Sequence, residues 1–206
     1  MNKLGDLSCK EFLTELASAA PAPGGAMAGA LAAALASMVA NLTIGKEKFA
    51  DHEPEVKELL KQAEAERVRL LQLADDDAAV FNSFMSCYKL PKTTDEEKAA
   101  RTAAIRTAAK QAATVPLNIA RSSFAVLKLA DRLVVAGNPG VITDGACSGL
   151  LARAALRCAE YNVRINLGLT KDEAWNAQAA AELKQLLAEA ETLENRLLAV
   201  TDKALQ

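Results

Sequence analysis

One carboxylate interrupts an apolar rhythm. Leu70, Ala74, Phe81, Phe84 and Tyr88 follow a 4-3-4-3 spacing with one step missing, and Asp77 fills that step. Taking an ionisable group out of water on such a seam is costly unless something compensates it. Two readings stand: a buried acid paired with a lysine or arginine, or a proton-transfer group whose pKa is raised by its surroundings. The neighbouring acids differ from it. Asp75 shares a face with Asn82 and Ser86 and reads as solvated, while Asp76 shares one with Val80, Ser83 and Cys87.

Other polar residues are candidates for binding. Asn41, Thr43 and Lys46 follow one another where a helix ends, and Gly45 lets the lysine approach a ligand; an exposed polar helix end is the plainer reading. Asn162 and Asn166, four apart in YNVRINLG, project two amides from one helical face if the helix extends that far. The one histidine, His52, sits in a polar loop and reads as surface. PAPGGA, with Gly24 and Gly25, is no dinucleotide fingerprint, because no strand precedes it and a third glycine is absent. It is a helix start whose free amides suit a carboxylate or phosphate.

The element that must position these groups runs from Pro21 to Phe49. Gly25, Gly29, Ala33, Ser37 and Asn41 recur every four residues, giving one nearly bare helical face. Met27, Leu31, Leu35 and Val39 form a parallel bulky row that predicts a core-filling side. The run is almost uncharged, but alanine is weakly apolar and neither an aromatic belt nor a basic flank accompanies it, so a buried helix is expected rather than a membrane span.

Capping boxes at Ser8/Glu11, Thr93/Glu96 and Thr170/Glu173 predict three helix starts. The first opens a short helix to about Ala20, with Phe12, Leu13 and Leu16 on its apolar side. A long helix is expected from Pro54 to about Lys89, another from Asp95 to Ala113, and a further one begun by Pro116 and reaching Ala136. Gly137 to Gly140 make a sharp turn, and Thr143 or Asp144 caps the next helix. That helix has its own small row, Gly145, Gly149, Ala152 and Ala155, suited to lie against the first. In the last helix, Leu183, Leu187, Ala190, Leu193, Leu197 and Val200 form a near-heptad seam, predicting an antiparallel hairpin or a dimer contact.

Composition sets the fold class. With 51% hydrophobic residues but only 4% aromatics, alanine and leucine must supply the packing, which favours an all-α bundle of long helices around a buried small-residue helix. One domain over 1–206 suffices. A net charge of −2 with mixed signs offers no basic field for nucleic acid. Cys9, Cys87, Cys147 and Cys158 have neither zinc-ligand nor disulfide-framework spacing and read as buried, reduced thiols of a cytosolic protein. The amino terminus has no signal-peptide core.

PAPGGAMAGALAAALASMVANLTIGKEKF, LADDDAAVFNSFM, LPKTTDEEKAAR, VPLNIA, GNPGVITD and YNVRINL together resemble the cyclodeaminase domain of formimidoyltransferase-cyclodeaminase and its free-standing relatives, among them methenyltetrahydrofolate cyclohydrolases. The resemblance implies an all-helical homodimer with a reduced-folate site and neither metal nor other cofactor. It also implies that Asp77 is the catalytic aspartate, second in the D-x-D-A-x-x-F pattern. The candidate substrate-binding set is then Gly24, Gly25, Asn41, Lys46, Asp144, Asn162 and Asn166. Cyclodeamination is the first expectation and cyclohydrolysis the second, with a non-catalytic helical folate-binding or scaffold protein as the rival. One departure is that Ala26 and Met27 stand where the family continues with glycine and serine.

Overall fold

The computed structural model describes residues 3–19 and 26–206. Among these, six α-helices follow one another: α1 (Cys9–Leu16), α2 (Met27–Asn41), α3 (Glu53–Cys87), α4 (Asp95–Ala136), α5 (Ile142–Thr170) and α6 (Glu173–Ala204). The described residues form no strand, as the composition requires. None of their helices is long and apolar enough to cross a membrane.

Small residues make the centre. Ala32, Ala33, Ala36 and Ala40 of α2 are fully enclosed, and α3, α4 and α5 surround them. Gly29 faces α3 and α4, where an added β-carbon would fall 3.0 Å from Leu70 Cδ2 and 3.1 Å from Ser123 Oγ. The bare face is therefore a packing face, as its spacing predicts. The bulky row is not. Of Met27, Leu31, Leu35 and Val39 only Val39 is buried, and Leu31 is 55% exposed. Side chains of the neighbouring helices, Leu70 and Ser123 among them, fill the space against this face, so the small residues of α2 point inward and its leucines outward.

Several helix boundaries differ from expectation. The box at Ser8 and Glu11 is formed, but α1 ends at Leu16, four residues short, with Leu13 and Leu16 exposed. Pro21 and Pro23, residues that would stop a helix, follow in the sequence but lie outside the described residues. The second box is shifted by one: Thr94 Oγ1 accepts from the Glu97 amide, and Glu97 Oε2 accepts from the amides of Thr93 and Thr94. The carboxylate serves both threonine amides, so the second threonine becomes the cap.

Pro116 begins no helix. It lies inside α4, which continues unbroken from Asp95 to Ala136. The turn at 137–140 forms as expected, pinned to the turn that follows α2 by the Asn138 amide donating to Thr43 Oγ1 at 2.8 Å. Neither Thr143 nor Asp144 caps α5, because a 3-10 turn at Pro139–Val141 leads straight into Ile142. Thr170 closes α5 rather than opening α6, whose start is capped by Asp172 accepting from the Trp175 amide at 3.1 Å.

The small row of α5 is divided: α5 does lie against α2 as expected, but the two glycines of the row face other helices. A β-carbon on Gly145 would press Val134 of α4, and one on Gly149 would overlap Leu197 of α6. Contact with α2 includes Ser148, whose hydroxyl donates to the Ala32 carbonyl at 2.8 Å, and Ala152, which shares a core cluster with Ala32 and Ala33. The seam of α6 packs on α4 and α5, with Leu183, Ala190 and Leu197 buried, which is the antiparallel hairpin of the two alternatives. Asp131, buried in α4, is held by Arg196 of α6 through two hydrogen bonds.

The cysteines correct a further expectation. All four are free, but Cys9, Cys147 and Cys158 are exposed and Cys87 is half-buried. Cys147 and Cys158 are three turns apart on the outer side of α5.

Candidate functional site

Three helices enclose a cleft of about 340 Å³. From α3 come Asp77, Ala78, Val80, Phe81 and Phe84; from α4, Ala112 and Pro116; from α5, Asn162, Ile165, Asn166 and Leu169. The heptad arithmetic explains the position of the acid. Asp77 follows Leu70 by seven residues, so it shares the face with which α3 meets α2, but lies about 10 Å further along the bundle.

Asp77 is half-buried between apolar walls, and burial alone pushes its carboxyl above the ordinary value. It has no hydrogen-bond or ion-pair partner among the described residues. Of the two sequence readings, the lysine- or arginine-paired acid is therefore absent from the described contacts. A carboxyl in this state holds a proton closer to neutrality than a solvated one and is also a stronger base once ionised.

The neighbouring acids are occupied. Asp75 Oδ1 accepts from the Leu4 amide at 2.8 Å and anchors the amino-terminal turn, so it is half-buried rather than solvated. Asp76 Oδ1 accepts from Gln72 Nε2 at 2.9 Å.

The two asparagines face the same cleft because α5 does extend through them. Asn166 Nδ2 donates to the carbonyls of Ala112 and Asn162, both at 2.9 Å, and Asn162 Nδ2 donates to the Cys158 carbonyl at 3.3 Å. Asp77, Asn162 and Asn166 are thus brought together from residues far apart in sequence.

Asn41, Lys46 and Asp144 are not brought there. Gly29 is level with Leu70, and α2 and α3 run antiparallel, so Asn41 and Asp77 lie about 28 Å apart along the bundle at 1.5 Å per residue. Asp144 is similarly about 27 Å along α5 from Asn162. Asn41 and Lys46 are exposed, and Gly45 between them takes a left-handed φ of 76°. Thr43 is buried and serves the turn at Asn138. His52 is exposed in a 3-10 turn. Gly24 and Gly25 lie outside the described residues.

Sequence reasoning passed over Pro116 and Ala112 as site residues. The signal was VPLNIA itself, since a proline inside an otherwise good helix leaves a carbonyl that something must satisfy. Ile165 and Leu169 gave no such signal. Among the described residues, no three His, Cys, Asp or Glu side chains converge to hold a metal.

Comparison with known proteins agrees with this fold. Residues 8–185 match the formiminotransferase-cyclodeaminase family. A methenyltetrahydrofolate cyclohydrolase of Methylorubrum extorquens is 44% identical over 197 residues, covering 94% of this chain and 95% of that protein. The formimidoyltransferase-cyclodeaminase of Sus scrofa is 33% identical over 89% of this chain, which spans 35% of that longer protein. The crystal structure of a formiminotetrahydrofolate cyclodeaminase from Thermotoga maritima superposes with a TM-score of 0.88 at 30% identity, covering 98% of this chain and all of that one. By sequence over most of its length and by fold over nearly all of it, the chain belongs to the formiminotransferase-cyclodeaminase family.

Proposed function

We propose that the chain is a 5,10-methenyltetrahydrofolate cyclohydrolase with Asp77 as its proton-transfer residue. The observation that carries this is a half-buried carboxyl, unpartnered among the described residues, facing an apolar cleft large enough for a pterin-sized ring. The methenyl bridge is an amidinium-type cation, and an unpaired carboxylate in such a cleft gains most from a cationic ligand. Cyclohydrolysis is placed ahead of cyclodeamination because the relative matching nearly end to end at 44% carries that name.

In this reading the Asp77 carboxylate takes a proton from water as its oxygen bonds to the bridge carbon. The resulting carbinolamine loses its bond to N5, which takes a proton as the carbonyl forms. The product is 10-formyltetrahydrofolate, and one proton is released overall. No cofactor enters, since the folate is the substrate. The second reading, cyclodeamination of 5-formimidoyltetrahydrofolate, is favoured by the Thermotoga maritima structure. The same carboxyl would then protonate departing ammonia.

The active form in this reading is a homodimer, and the compartment is the cytosol, in keeping with four free thiols. A stripe at Leu31, Leu35, Met38 and Leu42 repeats every three or four residues along the outer side of α2; Leu31, Met38 and Leu42 are exposed and Leu35 half-buried. A two-fold axis across this stripe would lay the Asn41, Lys46 and Asp144 end of one copy against the Asp77 cleft of the other. Lys46 would there pair with the anionic glutamate tail of the folate. Incubation with each folate, followed at the methenyl absorbance, is the test. Loss of signal from the methenyl compound means cyclohydrolase, a rise from the formimidoyl compound means cyclodeaminase, and no change with either overturns both in favour of a non-catalytic protein.

A further inference from the structure

Pro116 is fully buried in the middle of α4, where another residue would donate its amide to the Ala112 carbonyl. That carbonyl is satisfied from another helix, because Asn166 Nδ2 of α5 donates to it at 2.9 Å. The same nitrogen donates to the Asn162 carbonyl at 2.9 Å. Carbonyls only accept, so an amide facing two of them must present its nitrogen there. Asn166 Oδ1 is the end left over, and it accepts nothing from the described residues. Ala112, Pro116, Asn162 and Asn166 all line the cleft that holds Asp77.

We propose that Pro116 and Asn166 form a lock: the proline frees a carbonyl, the carbonyl holds the amide nitrogen, and the amide oxygen is thereby fixed as a hydrogen-bond acceptor for an N–H edge of the substrate. The inference rests on reading the cleft as the reduced-folate site. A pterin ring, with its ring N–H and exocyclic amino groups, supplies such an edge. A freely rotating asparagine would accept or donate and would discriminate little between ligands. The lock removes the donating option, so the cleft favours donor-presenting faces and disfavours acceptors set against Oδ1.

Asn166→Ala, Pro116→Ala and the double variant test this with two measurements on the whole protein. The first is thermal unfolding. Pro116→Ala returns a backbone N–H to the Ala112 carbonyl, so Asn166→Ala should lower Tm at least twice as far in the parent as in the Pro116→Ala background; equal losses overturn the lock. The second is the Kd of 5-formyltetrahydrofolate by calorimetry. Asn166→Ala should weaken binding about 5- to 10-fold. Pro116→Ala, which retains the asparagine but releases it, should also weaken binding without lowering Tm.

A purely structural asparagine would move Tm and leave Kd alone, so a parent-like Kd in Asn166→Ala overturns the ligand half. If the parent binds no reduced folate, the reading of the cleft fails and the ligand half falls with it. The unfolding cycle still decides the lock by itself.

Discussion

Gly29 and Leu70 meet where α2 packs on α3, with only 3.0 Å between Leu70 Cδ2 and the place a β-carbon would take on Gly29. This contact fixes the height and rotation of α3, and Asp77 follows two turns later on the same face. Disturbing it should act on both stability and the site. Gly29→Ala is expected to cost about 1–3 kcal/mol, and Gly29→Leu more, in urea unfolding. Gly168, with nothing within 4 Å of its β-position, is the control: Gly168→Ala should add about 0.5–1 kcal/mol by relieving glycine's helix penalty. A parent-like midpoint for Gly29→Leu would contradict the close packing.

Asp77→Asn should trade function for stability. Its folded carboxyl has a raised pKa through burial, so between the ordinary and the raised value the native state binds more protons than the unfolded one. Stability therefore falls as pH rises through that window, and the penalty is complete above it. Asp77→Asn removes the penalty. It should raise Tm at neutral pH, and the gain should disappear as pH drops below about 4, the ordinary carboxylate value. Turnover should fall about 10²- to 10⁴-fold. Undiminished turnover would remove Asp77 from the mechanism.

Asp131 and Arg196 tie α4 to α6 away from the cleft, with the carboxylate buried and the guanidinium largely exposed. The pairing raises the pKa of Arg196 by hydrogen bonding to Asp131. Arg196→Met should cost about 3 kcal/mol by stranding a buried charge. The double change Asp131→Leu with Arg196→Met should recover most of that loss, since both partners then leave together. Chemical denaturation of the three proteins measures the difference. Kinetic constants should stay near parental values, because α6 contributes no side chain to the cleft.

What the sequence revealed depended on whether local pattern or tertiary contact decides each feature. The break in the apolar seam at Asp77 is a local pattern, and the bare row through Gly29 is another; both correspond to real faces. Pro116 misleads because the rule that proline ends a helix assumes that nothing else will satisfy the freed carbonyl, and here Asn166 does so from a residue 54 positions away. Leu31 misleads because bulk normally marks the inward side, whereas here the neighbouring helices supply the bulk, Leu70 among them, and α2 presents Gly29 and alanines to it. Asn41, Lys46 and Asp144 were grouped with Asp77 by resemblance, which carries no information about which copy of the chain supplies them.

That last distinction yields a direct test. Within one chain Lys46 and Asp77 sit toward opposite ends of the bundle, so a site that uses both must draw them from two copies. Asp77→Asn and Lys46→Ala, each expected to be poorly active alone, should then complement. Unfolded and refolded together in equal amounts, they form mixed dimers in which one cleft carries both substitutions and the other carries neither. Random pairing makes half of the dimers mixed, and half of the clefts in those are intact, so about a quarter of parental activity should return. A variant such as Leu35→Glu, placed in the outward stripe of α2, should abolish the recovery by blocking pairing while leaving helical circular dichroism unchanged. If the mixture shows only the average of its two components, Lys46 acts within its own chain or not at all, and the two-copy site is wrong.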